Sequence, residues 1–143
     1  MLIEFVAKYL ISFLIAPIIL IGLLGQYKFS LKSLIALSIT TFIIIILKEL
    51  TNQPRPYIRS GKKSLMDDPP TDKSFPSGHT AASMTAAVSL FYFNSIIGIT
   101  LIIASIIVGI SRIMVHIHTW YDVLIGAIMG ATIAIAVHSY LFN

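Results

Sequence analysis

The chain has 143 residues, of which 57% are hydrophobic and 11% are charged, and it carries a net charge of +4 and no cysteine. An average soluble domain has about 25% charged residues, so this composition excludes an ordinary soluble protein and predicts an integral membrane protein. The lack of cysteine excludes disulfides, thiolate nucleophiles and cysteine-based metal sites. The modest positive charge does not require a nucleic-acid partner.

Long stretches without charge predict the membrane helices. In chain order they cover residues 9–25, 33–47, 80–111 and 123–142. The third stretch is too long for one span of about 20 residues, and Asn94 is the natural point at which it folds into a hairpin. Together these stretches predict one all-α domain over residues 1–143, a polytopic bundle of about five transmembrane helices. Because Glu4 and Lys8 precede the first stretch, we expect no cleavable signal peptide.

The connections between these stretches divide into two sides. The segment "QYKFSLK", residues 26–32, predicts a short basic turn, and residues 51–74 form the one substantial polar segment of the sequence. Because each span crosses the membrane once, this polar segment lies on the side of the membrane opposite to Lys28. On the last helix, Gly126 and Gly130 form a GxxxG pattern, which predicts close helix packing within the monomer, with a homodimer face as the alternative.

Three short segments at helix ends carry the polar chemistry: "KELTNQPRP", "PSGH" and "SRIMVHIHTWYD". Their cations are Lys48, Arg55 and Arg112. Three cations without a matching cluster of acids indicate an anion with several oxygens, and planar guanidinium groups suit phosphate. The "PSGH" turn places backbone N–H groups at a helix N-terminus, where phosphate binds. Ionisable groups at membrane depth are costly, so together they indicate a functional site.

The histidines complete a set for phosphoryl transfer. His118 and Asp122 are four residues apart, so on a helical turn they share a face. A carboxylate that holds one imidazole nitrogen leaves the other free to attack or to take a proton. His79 is then a candidate to protonate the leaving oxygen. A metal site is the weaker interpretation because the three cations would repel the ion. His116 and His138 are assigned structural or interfacial roles.

Each of these features also has a structural alternative. Lys48 and Arg112 could extend from helix ends to the membrane surface, and Asp122 could stabilise a helix N-terminus. The occurrence of the whole set on one membrane face favours the functional interpretation.

The three segments resemble the signature of the type 2 phosphatidic acid phosphatase (PAP2) superfamily, through Lys48-x6-Arg55-Pro56, Pro76-Ser77-Gly78-His79 and Ser111-Arg112-x5-His118-x3-Asp122. The resemblance implies that His118 is the nucleophile, that Asp122 orients it and that His79 is the general acid. The phosphate-binding residues that it implies are Lys48, Arg55, Ser77, Gly78 and Arg112. It implies no metal and no other cofactor. Membrane members commonly have six spans, so one leading helix is missing from the predicted topology.

A site at the membrane surface favours a lipid phosphate over a soluble sugar phosphate. The resemblance implies a metal-independent phosphatase, with a polyprenyl (undecaprenyl or dolichyl-type) diphosphate as the first candidate and phosphatidate or phosphatidylglycerophosphate as the alternative. A catalytically silent lipid-binding protein or a small anion transporter is the alternative of another class. The basic segment around Lys28 and Lys32 predicts that these lysines face the cytoplasm and that the active site faces outward from the plasma membrane.

Overall fold

The computed structural model describes residues 15–61, 63–66, 69–71 and 73–141. Over these residues the regular elements are all helices, which confirms the predicted fold class. They are α1 (residues 15–23), α2 (Tyr27–Thr51), α3 (Pro56–Ser60), α4 (Gly78–Phe93), α5 (Ser95–Met114) and α6 (Trp120–Tyr140). The predicted start of the first span, and the residues Glu4 and Lys8 that bear on a signal peptide, lie outside the described residues.

Several of the described helices have the length and composition of membrane spans. Within the described residues, three segments are long and apolar enough to cross a bilayer, namely Tyr27–Ser60, Ser95–Met114 and Trp120–Tyr140. Helix α4 is shorter, at 16 residues, and packs against α2, α5 and α6. Most of its buried residues are Ala, Ser and Thr, whose small side chains allow neighbouring helices to approach closely. The protein is therefore an integral membrane protein with α4 at the centre of its bundle.

The structure contradicts one predicted connection between helices and confirms another. The basic segment is not a turn, because α2 begins at Tyr27 and the break is confined to residues 24–26. Gly25 supplies the left-handed backbone of that break, with φ of 97°, and long lysine side chains let the helix continue into the interface. The predicted hairpin is confirmed, because Asn94 ends α4 and its side chain accepts a hydrogen bond from the N–H of Ile97 in α5.

The GxxxG pattern of α6 packs against α4 of the same chain. A Cβ atom at Gly126 would lie 2.6 Å from the carbonyl oxygen of Ser77, and one at Gly130 would overlap the carbonyl oxygen of Ala81. Close packing within the monomer is therefore confirmed, and α4 occupies the face that a dimer through these glycines would need. This contact also holds the first turn of α4 against the first turns of α6.

We expect Gly126→Ala to destabilise the bundle by about 1–3 kcal/mol, because the added methyl group must push α6 away from the start of α4. Thermal unfolding in detergent measures the effect. Ile128→Ala is the matched control, since Ile128 is on the same helix and 52% exposed. Equal unfolding temperatures for Gly126→Ala and the wild type would contradict the packing described here.

Candidate active site

The residues that the sequence placed on one membrane face meet at one end of the bundle. Lys48 is in the last turn of α2, Arg55 precedes α3, and Arg112 is in the last turn of α5. His79, in the first turn of α4, lies close enough to these three cations and to His118 for their charges to influence it. The structure thus brings both histidines and all three cations together.

A tight turn after α5 positions His118. The carbonyl oxygen of Arg112 accepts hydrogen bonds from the N–H groups of Ile117 and His118, both at 3.3 Å. His116, at the tip of the turn, is exposed and has a φ of 61°, an uncommon backbone conformation for a residue other than glycine. The turn therefore buries His118, which is 3% exposed, while His116 points to the surface.

The expectation that His118 and Asp122 share a helical face was wrong. Helix α6 begins only at Trp120, and His118 lies before its N-cap residue, Thr119. The Thr119 side chain accepts from the N–H of Asp122 at 3.2 Å, and the Thr119 N–H donates to Asp122 Oδ2 at 2.7 Å. His118 Nδ1 still lies 3.6 Å from Asp122 Oδ2. Asp122 therefore caps the helix and faces the imidazole at the same time.

Ser74 is part of this arrangement and was missed by the sequence reasoning. Its hydroxyl group donates to Asp122 Oδ2 at 2.6 Å and lies 3.4 Å from His118 Nδ1. Ser74 is 2% exposed, and its N–H donates to the carbonyl oxygen of Gln53. In the sequence it is one serine at the end of a polar loop. Its position directly before "FPSGH" is the only signal that could have indicated it.

The hydrogen bonds of His118 define which ring nitrogen carries the proton. Nδ1 faces Asp122, whereas Nε2 lies 3.2 Å from Arg55 NH1, which also donates to the carbonyl oxygen of Ile117 at 3.1 Å. Because a guanidinium group can only donate, Nε2 carries the lone pair and Nδ1 the proton. Burial lowers the pKa of His118 to about 4; Asp122 opposes this shift, and Arg55 and Arg112 add to it. The imidazole is therefore neutral at neutral pH.

The start of α4 differs from the prediction at Ser77. Ser77 is fully buried, its N–H donates to the carbonyl oxygen of Asp122 at 2.9 Å, and its hydroxyl group lies 2.9 Å from that of Thr80. Its N–H group is thus engaged by α6 and not free as expected, and a contact between Ser77 and phosphate stays a prediction. The next N–H groups, of Gly78 and His79, belong to the first turn, which a helix leaves without intrahelical partners.

A cavity of about 290 Å³ connects this first turn with the lipid-facing side of the bundle. It lies between α2 and α4, and its lining residues are Thr40, Thr41, Ile44, Ile45, Lys48, Gly78, His79 and Ala82. Lys48 and His79 lie at its polar end. Ile45, along α2, is 55% exposed on the surface that faces lipid. The cavity therefore joins a cationic end to a wall that includes the apolar side chains of Ile44 and Ile45.

The charge of the site suits an anion. Among the described residues that surround the two histidines, three carry a positive charge, Lys48, Arg55 and Arg112, and Asp122 carries a negative one. Within the described residues, no group of three or more His, Asp or Glu side chains is arranged to hold a metal ion. Cationic side chains around a helix N-terminus are a typical environment for phosphate.

The sequence profile of the PAP2 superfamily matches residues 29–143. The chain belongs to the PAP2 superfamily. This confirms the family predicted from the three segments, and the family and the relatives below indicate a phosphatase.

Relatives and a solved structure agree with the PAP2 assignment. The chain is 33% identical over 141 residues to an undecaprenyl-diphosphatase of Sulfolobus acidocaldarius, covering 93% of this chain and 66% of that protein. It is 28% identical over 142 residues to undecaprenyl-diphosphatase BcrC of Bacillus subtilis, covering 96% and 70%. The crystal structure of Aquifex aeolicus LpxE superposes with a TM-score of 0.76 at 27% identity, covering 96% of this chain and 82% of that one. This PAP2 chain thus spans about two thirds of the length of its curated relatives.

Proposed function

We propose that this protein is a lipid phosphatase in which residues 1–143 act as one domain and His118 forms a phosphohistidine intermediate. The observation that carries the proposal is the orientation of the His118 ring. Its protonated Nδ1 faces Asp122, and its lone pair on Nε2 faces the guanidinium group of Arg55. A phosphate held by Arg55 would therefore lie next to the nucleophilic nitrogen.

The reaction proceeds in two steps, transfer of the phosphoryl group to His118 and its hydrolysis. In the first, the Nε2 lone pair forms a bond to phosphorus and the bond between phosphorus and the leaving oxygen breaks. His79, protonated when the anionic substrate offsets the three cations around it, gives that oxygen a proton. In the second, water attacks the phosphohistidine, His79 takes the proton of the water, and the N–P bond breaks. Asp122 stabilises the imidazole in both steps.

The cations around the two histidines stabilise the transferred group. Arg55, Arg112 and Lys48 neutralise charge that spreads over the phosphoryl oxygens in the transition state. The backbone N–H groups at the start of α4, at Gly78 in particular, add hydrogen-bond donors that are already in position before the reaction. Ser77 completes this cradle by donating its hydroxyl proton to a phosphate oxygen while it accepts from Thr80.

We infer that the substrate is a polyprenyl diphosphate, which is converted to the monophosphate. Two undecaprenyl-diphosphatases are among the relatives of the chain. The cavity between α2 and α4 supports a lipid substrate, because its polar end contains Lys48 and His79 while its wall along α2 includes Ile44 and Ile45. The diphosphate would bind at the polar end, with the chain in the bilayer.

A substrate panel tests this function. The purified protein in detergent and EDTA is given undecaprenyl diphosphate, phosphatidate and phosphatidylglycerophosphate, and released phosphate is measured. We expect kcat/KM for the diphosphate to exceed the others by about tenfold or more, which corresponds to one well-placed charged contact to the second phosphate group. A preference for either phospholipid would assign the alternative substrate, and no turnover of any of the three would leave a silent lipid-binding protein or a transporter.

The proposed nucleophile predicts the pH dependence of kcat/KM. Protonation of His118 removes the Nε2 lone pair, and its pKa is lowered from 6.5 to about 4. The rate should therefore fall as the pH falls through about 4 and stay high at pH values between there and 6.5. Measurement with a diphosphate and a monophosphate substrate separates the titration of the enzyme from that of the substrate. A fall centred at pH 6.5 with both substrates would contradict a neutral buried nucleophile.

Ser74→Ala should lower kcat by about tenfold, because Asp122 loses a charge-assisted hydrogen bond that fixes its carboxylate beside His118. KM should change little, since the Ser74 hydroxyl group bonds Asp122 and lies beside Nδ1 of His118, whereas Nε2 is the nitrogen that faces Arg55. Ser74→Thr keeps the hydroxyl group and should restore part of the rate. A rise in KM with unchanged kcat would assign Ser74 to substrate binding and not to positioning.

The orientation that we propose places the site on the extracytoplasmic face of the plasma membrane. Lys28 and Lys32 lie at the opposite end of the bundle and satisfy the positive-inside rule there. Because the chain has no cysteine, a single Lys63→Cys substitution gives a clean probe of the exposed loop near the site. Labelling of intact cells by a membrane-impermeant maleimide is expected, and labelling only after lysis would reverse the orientation.

A further inference from the structure

A second cavity lies at the end of the bundle opposite to the proposed catalytic residues. Its volume is about 580 Å³, and it is formed where α2 begins and where α4 and α6 end. Two lysines, Lys28 and Lys32, line it together with the aromatic residues Tyr27, Phe29 and Tyr92 and with His138. None of these residues takes part in the phosphatase mechanism.

The two charged side chains that line this cavity, those of Lys28 and Lys32, are both positive. Lys28 and Lys32 are four residues apart on α2, so they share a face, and like charges at this spacing repel. No acidic side chain among the described residues pairs with either lysine: the nearest acid along α2 is Glu49, about 25–30 Å away at the other end of the helix. The cavity therefore offers two positive charges to an anion from outside the described bundle.

The walls of the cavity are built around His138, which is 8% exposed. Its ring stacks on Tyr92 with centroids 4.9 Å apart, lies 5.6 Å from the ring of Phe29, and has Nε2 3.3 Å from Ser33 Oγ. The Nζ atom of Lys32 donates to the carbonyl oxygen of His138 at 3.4 Å. This contact fixes the ammonium group of Lys32 at the edge of the cavity, whereas a lysine that merely extends to the membrane surface has no fixed position.

We propose that this cavity is a second phosphate-binding site, separate from the catalytic one. Lys28 and Lys32 bind the phosphate oxygens. The aromatic wall is apolar and lies at the bilayer boundary, where anionic headgroups concentrate near basic residues. The ligand class is a phosphate group, carried by a membrane lipid of this leaflet or present as a free ion. The site does not depend on the catalytic mechanism.

Native mass spectrometry in detergent tests the proposal, with the full chain in a His118→Ala background so that no ligand is hydrolysed. One arm titrates dioleoyl phosphatidate against dioleoyl phosphatidylcholine, and the other titrates sodium phosphate against sodium chloride. We expect one more phosphate-bearing ligand to bind than the catalytic site alone accounts for. In Lys28→Gln/Lys32→Gln the affinity of this additional ligand should fall by about tenfold or more, since its charged hydrogen bonds are lost.

Two further variants make the result specific. Lys28→Arg/Lys32→Arg keeps both charges and should keep the additional ligand. Lys63→Gln removes one exposed lysine from the loop at the other end and should have no effect. An additional ligand in the phosphatidate arm identifies a lipid site, and one in the phosphate arm alone identifies a site for the free ion. Phosphatase activity of Lys28→Gln/Lys32→Gln with His118 intact shows that this variant is folded. Equal binding by the wild type and Lys28→Gln/Lys32→Gln in both arms would overturn the proposal.

Discussion

His118→Ala should lower phosphate release by at least about a thousandfold, the scale of losing a nucleophile that acts within a connected set of groups. The lone pair on Nε2 of the imidazole faces the arginine that would hold the phosphate. Neither Arg55 nor Asp122 can replace it, because a guanidinium group has no lone pair to offer and the carboxylate is bound to Thr119 and Ser74. Single-turnover measurements with excess enzyme give the loss directly.

His116→Ala is the matched control for this variant. His116 is two residues away in the same turn, is exposed, and has no role in the mechanism. It should keep the wild-type rate. A thermal unfolding scan should show His118→Ala still folded, because Asp122 keeps its hydrogen bonds from Ser74 and Thr119 and Arg55 keeps its hydrogen bond to Ile117. If the two alanine variants lost activity equally, the turn and not the imidazole would be the important feature.

Asp122→Asn should lower kcat by about a thousandfold to ten-thousandfold, as expected when the residue that fixes a catalytic imidazole loses its charge. Ser74, Thr119 and His118 all contact Asp122 Oδ2, so the oxygen of an amide can take its place but carries no negative charge. The positive charge that develops on the imidazole when Nε2 attacks phosphorus then loses its counter-charge. Single-turnover measurements with the variant and the wild type give the loss.

Thr119→Ala separates the two roles of Asp122. It removes the hydroxyl group that accepts from the Asp122 N–H, together with the γ-methyl group, so the start of α6 should lose about 1 kcal/mol of stability. The carboxylate keeps its bonds to Ser74 and to the Thr119 backbone. Activity close to the wild type is therefore expected. If Thr119→Ala lost as much activity as Asp122→Asn, helix capping alone would account for the importance of Asp122.

The residue content of the site was predictable because charge is rare in this sequence. Lys48 and Arg112 end long apolar stretches, and Arg55 follows Lys48 by seven residues at the start of the polar segment. A charge at membrane depth must have a partner or a function. The fold class was predictable for the same reason, since charge-free stretches of suitable length leave few alternatives to helices in a membrane.

The geometry around His118 could not be predicted from spacing. A separation of four residues suggests one helical turn, but here the N-cap at Thr119 falls between His118 and Asp122. The contact forms because the capping turn folds back over the first turn of α6. Ser74 was equally hidden, because its contact with Asp122 joins residues 48 positions apart. Such a contact depends on how the loop closes over the helix ends.

The helices were predicted to be shorter than they are, because charge-free stretches were used to locate their ends. Charge-free stretches mark the hydrocarbon core, whereas helices continue into the interface wherever long basic side chains reach water. Helix α2 therefore includes Lys28, Lys32 and Lys48, which the sequence placed at or beyond its ends. The cavity around His138 exists because of this extension, since it places both lysines on the first turns of a regular helix.

Trapping of the phosphoenzyme tests the central claim most directly. The protein is mixed with undecaprenyl diphosphate, quenched in base during turnover and digested, and the peptides are analysed by mass spectrometry under conditions that preserve phosphohistidine. We predict one phosphoryl group on the peptide that contains His118, located on that residue by fragmentation and absent from His118→Ala. Rapid turnover without any phosphoryl group on the protein, or with the group on His79, would contradict the assignment of His118 as the nucleophile.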